Sequence, residues 1–122
     1  SLRKSNANYL SKKLRKFDQI QLPIVPIDSN HVYQLYSILL SKKTIRNNLF
    51  KFLTKKGIMS KVYFSPIHKT KYYKKFKLSK NNELLNTDDI SEKILSLPMY
   101  PSLSKDELNY MVDSINEFME KI

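Results

Sequence analysis

A chain of 122 residues, 41% hydrophobic and 11% aromatic, can enclose one core of ordinary size, burying roughly two-thirds of the surface of its unfolded form, and is expected to make one domain. It has no cysteine, which excludes disulfides and thiolate metal sites and fits a cytoplasmic protein, and its apolar runs fall far short of the roughly 18 residues needed to cross a bilayer. The net charge is +11, unevenly spread: residues 42 to 80 hold 13 Lys and Arg and no acid, whereas from residue 81 on nine acids face three bases, so the two regions should attract each other.

The amino end, Ser1-Leu-Arg-Lys-Ser-Asn6, carries no signal-peptide core. Leu10, Leu14 and Phe17 then share one face of a first helix, with Lys12, Lys13, Arg15 and Lys16 near the negative pole of its dipole. Pro23 and Pro26 bracket Ile24 and Val25 and remove backbone donors, which predicts a short edge strand. His31 to Leu40 is aromatic, branched and almost uncharged, the composition of a central strand. Thr44 is placed to cap a helix whose stripe is Ile45, Leu49, Phe52 and Leu53, and the only glycine, Gly57, should end it in the left-handed conformation.

Ile58 to Phe64 alternates and predicts a third strand, with Ile58, Val62 and Phe64 on one side, stopped by Ser65-Pro66. From His68 to Asn82 the chain is basic and aromatic without period, a long loop with room for one irregular helical turn. A short helix is expected from Asp88 to Leu95, before Pro98. In the last helix Ser104 and Glu107 have capping-box spacing, and Leu108, Met111, Val112, Ile115, Phe118 and Met119 form a stripe whose burial is worth roughly 10 kcal/mol before entropy. The fold class expected is α+β, a small, mainly antiparallel three-stranded sheet with helices packed on one face.

The chemistry of a self-contained active site is missing from this pattern. A single glycine excludes a Walker loop or dinucleotide fingerprint, which need several for close approach to phosphate. His31 and His68, the only histidines, belong to no metal pattern, and no serine lies in a Gly-x-Ser-x-Gly turn.

Several blocks in order resemble one family. Arg3-Lys-Ser-Asn-Ala-Asn-Tyr-Leu10 with Leu14, then Leu22-Pro23, look like a helix leaving a large domain. His31-Val-Tyr-Gln-Leu-Tyr36 looks like the strand motif that follows, and Arg46 with Leu49, Leu53, Gly57 and Ile58 like an arginine-opened helix ending in Gly-Ile. Val62-Tyr-Phe-Ser-Pro-Ile-His68 is similar to a Tyr-x-Pro-x-His segment, and Leu95-Ser-Leu-Pro-Met-Tyr-Pro101 with Leu103-Ser104 to a Ser-Leu-Pro-x-x-Pro turn opening a last helix. Together they resemble the C-terminal region of the DegT/DnrJ/StrS aminotransferases.

The resemblance implies that residues 1–122 are the small domain that closes a sugar cleft. A large domain, outside this chain, would hold pyridoxal phosphate (PLP) on a lysine. It implies a keto-sugar nucleotide as substrate, glutamate as amino donor, a homodimer, and a fragment inactive by itself. It points first to His68 and Tyr72 as substrate contacts, then to Tyr63 and His31, with no catalytic, cofactor-binding or metal residue in the chain. An imidazole and a phenol can hydrogen-bond sugar hydroxyls, and Lys69 or Lys71 could screen a diphosphate. Equally, His68 could fix the loop with Tyr72 packed on it. Gln34 stands where many relatives have a second histidine. Three other readings remain open at this point. One is a nucleic-acid module built on Lys69-Thr-Lys-Tyr-Tyr-Lys-Lys-Phe-Lys77, whose aromatics could stack on bases; the others are a sugar dehydratase on the same scaffold and a purely structural domain.

Overall fold

The computed structural model describes residues 1–76 and 84–122. In chain order it has α1 (Leu2–Leu14), β1 (Ile20–Gln21), β2 (Tyr36–Leu40), α2 (Lys43–Lys55), 3-10 turns at Ile67–Lys69 and Tyr73–Lys75, α3 (Leu85–Lys93), β3 (Ile94–Leu97) and α4 (Lys105–Met119). The sheet runs β1-β2-β3 and is antiparallel throughout, with Ile20 opposite Leu40 and Tyr36 opposite Leu97. The expected α+β class, a three-stranded antiparallel sheet with helices, is the class observed.

The period-two geometry of β2 sends Tyr36, Ile38 and Leu40 to one face, where each is at most 1% exposed. That face meets Ala7, Leu10 and Leu14 of α1, Leu49 and Leu53 of α2, and the full predicted stripe of α4 in a single core. Burial pushes the Tyr36 hydroxyl up to about 12, and it shares a 2.8 Å hydrogen bond with Ser11 of α1. The capping box is present: Ser104 Oγ accepts from the Glu107 N–H, and Glu107 Oε2 accepts from the Ser104 N–H. Helix α2 ends at Lys55, and Gly57 takes φ +76°, as its position after a helix requires.

Other expectations need correction. Pro23 to Pro26 is not a strand; the edge strand is Ile20–Gln21, whose residues still have the N–H groups that prolines lack, and Ile24 is 78% exposed. Only the second half of His31–Leu40 is strand, because Tyr33 sits at φ 49°, which turns the chain out of the extended path. Thr44 lies inside α2, whose N-cap is Lys42 and has no side-chain cap bond. The segment from Ile58 to Phe64 touches the sheet at one bridge only, Lys61 with Ser96, and of the side shared by Ile58, Val62 and Phe64 only Ile58 is buried. The third strand is instead Ile94–Leu97, whose first two residues fall within the helix expected from Asp88 to Leu95; that helix closes at Lys93. The expected loop from His68 to Asn82 holds two 3-10 turns, one of them beginning at Ile67, and its remainder lies outside the described residues.

The opposed charge regions do meet. Lys43 pairs with Glu92, Lys56 with Glu117 and Lys69 with Asp88, each joining the basic stretch to the acidic one. Two of these pairs hold α3, which buries no residue of its own.

Candidate functional site

The lead-in to β2, at the end of the β1–β2 connection, and the stretch after Lys61, within the β2–β3 connection, come together around an open groove of about 790 Å³. Its polar lining is His31, Gln34, Ser37 and Tyr63, and Leu35 and Phe64 supply apolar walls. The left-handed turn at Tyr33 produces this arrangement. It buries the Tyr33 ring in the core and folds His31 back onto it, with ring centroids 4.2 Å apart. The Tyr33 N–H donates to His31 Nδ1 at 2.9 Å. An imidazole nitrogen that accepts carries no proton, so neutral His31 has its hydrogen on Nε2 and is a donor there. A donor imidazole, an amide, a hydroxyl and a phenol on one partly apolar groove are the groups that grip a polyhydroxylated ligand.

The other pair of expected residues lies elsewhere. His68 is in the first 3-10 turn, its side chain 27% exposed, with Nε2 2.8 Å from Asp88 Oδ1. Lys69 Nζ reaches the same oxygen at 2.8 Å. The hydrogen bond from Lys69, then that from His68, hold the Asp88 carboxyl below its usual range against the opposing effect of desolvation. Tyr72 is 63% exposed and packs against Tyr73 and Phe76, with centroids 5.2 and 5.4 Å away. The structure thus brings His31 and Tyr63 together on one groove, which His68 and Tyr72 do not line. Sequence reasoning missed Asp88 as the partner of His68. The attraction of the basic and acidic regions pointed to such a pair without naming it.

A lysine that carries PLP must lose its proton in a shielded site. No described lysine is buried; Lys56 and Lys93 are half-buried, both are ion-paired, and the hydrogen bond to Glu117 raises the pKa of Lys56. The described residues therefore do not fit the cofactor's attachment site. Among them there is also no cluster of three potential metal ligands, and no helix is long and apolar enough to cross a membrane.

The family model of the DegT/DnrJ/EryC1/StrS aminotransferase family matches residues 1–116. An uncharacterized protein of Methanocaldococcus jannaschii is 24% identical over 98% of this chain and 32% of its own length. GDP-perosamine synthase of Escherichia coli is 32% identical over 75% of this chain and 24% of its own. The crystal structure of a DegT DnrJ EryC1 StrS aminotransferase from Brucella abortus superposes with a TM-score of 0.83 at 27% identity, over 97% of this chain and 30% of that one. The chain thus spans about a quarter to a third of the length of the relatives it matches. These matches favour neither the nucleic-acid reading nor the purely structural one. With the family model covering all but the last few residues, this chain belongs to the DegT/DnrJ/EryC1/StrS aminotransferase family.

Proposed function

We propose that this chain is the substrate-closing small domain of a PLP-dependent aminotransferase that transfers an amino group from glutamate to a keto-sugar nucleotide in amino-sugar or polysaccharide biosynthesis. The observation that carries the reading is one of extent: the family model matches nearly the whole chain, yet the chain spans only part of its relatives. The unsuitability of its described lysines for the cofactor agrees with a division of labour in which PLP, the electron sink of the reaction, is held by a large domain outside these residues. His31 and Tyr63 would contact the sugar from the groove, and His68 and Tyr72 from the neighbouring loop. A cytoplasmic homodimer is part of the same proposal.

The full-length protein supplied with PLP, glutamate and a keto-sugar nucleotide should release 2-oxoglutarate and an amino-sugar nucleotide, and residues 1–122 alone should not. Absence of turnover with every keto-sugar nucleotide offered would overturn the substrate class. Retention of PLP by residues 1–122 as a stable coloured adduct would overturn the division of labour.

A further inference from the structure

We propose that Asp88 is a positioning residue for His68, fixing the imidazole as the Nε2–H tautomer so that Nδ1 is presented as a hydrogen-bond acceptor. The inference rests on the reading above that His68 contacts the sugar. An ionised carboxylate offers lone pairs only, so at 2.8 Å from Asp88 Oδ1 the His68 Nε2 must be the donor. Lys69 donates to the same oxygen, which keeps the acid ionised and the direction of the bond fixed. Two further pairs on α3, Glu92 with Lys43 and Asp89 with Lys93, leave Asp88 to His68 and Lys69. Asp88 itself is in the first turn of α3, where the helix dipole favours a negative charge.

The consequence is a complementary pair of histidines. Neutral His31, accepting at Nδ1 from the Tyr33 N–H, is a donor at Nε2, whereas neutral His68, donating at Nε2, is an acceptor at Nδ1. A sugar hydroxyl can both donate and accept, so two imidazoles fixed in opposite senses would each select one orientation of a hydroxyl. Through His68, Asp88 would set hydroxyl orientation without touching the substrate, as carboxylate partners of histidines do in metal sites.

Imidazole nitrogen–proton correlation spectra of residues 1–122 test the positioning role without substrate. Wild-type His68, when neutral, should be a single Nε2–H tautomer with a slowly exchanging proton. Asp88→Ala should give a tautomer mixture and lose that proton, and Asp88→Glu should restore both. Since α3 buries no residue, the variants should keep their near-UV spectrum. A mixed tautomer in the wild type, or an unchanged spectrum in Asp88→Ala, overturns the positioning role. In the full-length enzyme, Asp88→Ala and His68→Gln should each lower kcat/KM about tenfold, the factor for roughly one hydrogen bond, with no further loss when combined. A fixed tautomer together with unimpaired His68→Gln turnover sinks the substrate reading of His68 and leaves the positioning role standing. Independent losses that multiply would overturn the role of Asp88 in catalysis through His68.

Discussion

Lys56, at the C-cap of α2, places its Nζ 2.6 Å from Glu117 Oε2 near the end of α4, while Lys121 pairs with the other oxygen at 2.8 Å. The hydrogen bonds from Lys121 and then Lys56 bring the Glu117 carboxyl from 4.5 down to about 2. A depressed folded-state pKa stabilises the fold above the unfolded value, and that contribution is lost as pH falls through the folded value. Glu117→Gln should therefore lower Tm at neutral pH by a small amount, as solvent screening at this exposed pair dictates, and the difference from wild type should fade between pH 4.5 and about 2. Thermal melts of both proteins across that range, at low and moderate salt, are the check. A difference that persists at pH 2 would mean that packing of the side chain, and not its charge, is responsible.

Gly57 offers a cleaner separation of backbone from packing. A Cβ built there meets nothing within 4 Å, so any cost of substitution comes from φ +76° alone. Gly57→Ala should cost about 1–2 kcal/mol, the penalty for an L-residue in the left-handed region, and Gly57→Asn less because its short polar side chain tolerates that region. Urea unfolding of the two variants ranks them; equal stability of Ala and Gly would contradict the geometry. The branched Gly57→Val should be worst of all, since its stiff side chain fits the left-handed region least.

The helices were largely readable because their determinants are local. The three- and four-residue spacing of Leu10 and Leu14, of Leu49 and Leu53, and of the α4 stripe needs only one amphipathic surface to be explained. Strands are defined by a partner in register, which a run of residues does not reveal. Ile58 to Phe64 alternates well but pairs only at Lys61, whereas Ile94–Leu97 follows a helix with no turn signal and pairs along its whole length. The groove was less legible still. His31 and Tyr63 are legible as candidates, but their meeting depends on Tyr33 adopting φ 49°, a conformation a tyrosine seldom takes and no spacing announces. His68 was placed in the right loop, while its partner Asp88 lies in another element and could be located only in three dimensions.

Helix α4 joins a local signal to a global one, and two substitutions separate them. Ser104→Ala removes one half of the capping box and should cost about 1 kcal/mol, fraying the first turn without loosening the core. Ile115→Ala, at a site with 0% exposure, should cost about 2–5 kcal/mol through lost burial and the cavity left behind. Chemical denaturation combined with hydrogen exchange distinguishes the two: local loss of protection near residues 105 to 108 in the first variant, a global fall in the second. Widespread exchange in Ser104→Ala would show that the cap organises far more than its own turn.

The groove makes the sharpest functional forecast, because its two ring systems differ in how they are held. The His31 Nδ1 is engaged by the Tyr33 backbone and only Nε2 remains for a ligand, so His31→Ala removes a donor whose direction is already fixed. Tyr63→Phe removes one hydroxyl and leaves the aromatic wall intact. In the full-length enzyme each should reduce kcat/KM for the sugar substrate by about tenfold, as expected for roughly one hydrogen bond of about 1.4 kcal/mol, while the KM for the amino donor stays the same. Steady-state kinetics varying each substrate in turn provides the measurement. His31→Gln, whose amide can also donate, should recover part of the loss. If both variants change only thermal stability and neither shifts the sugar kinetics, the groove is a structural seam and the sugar is gripped elsewhere.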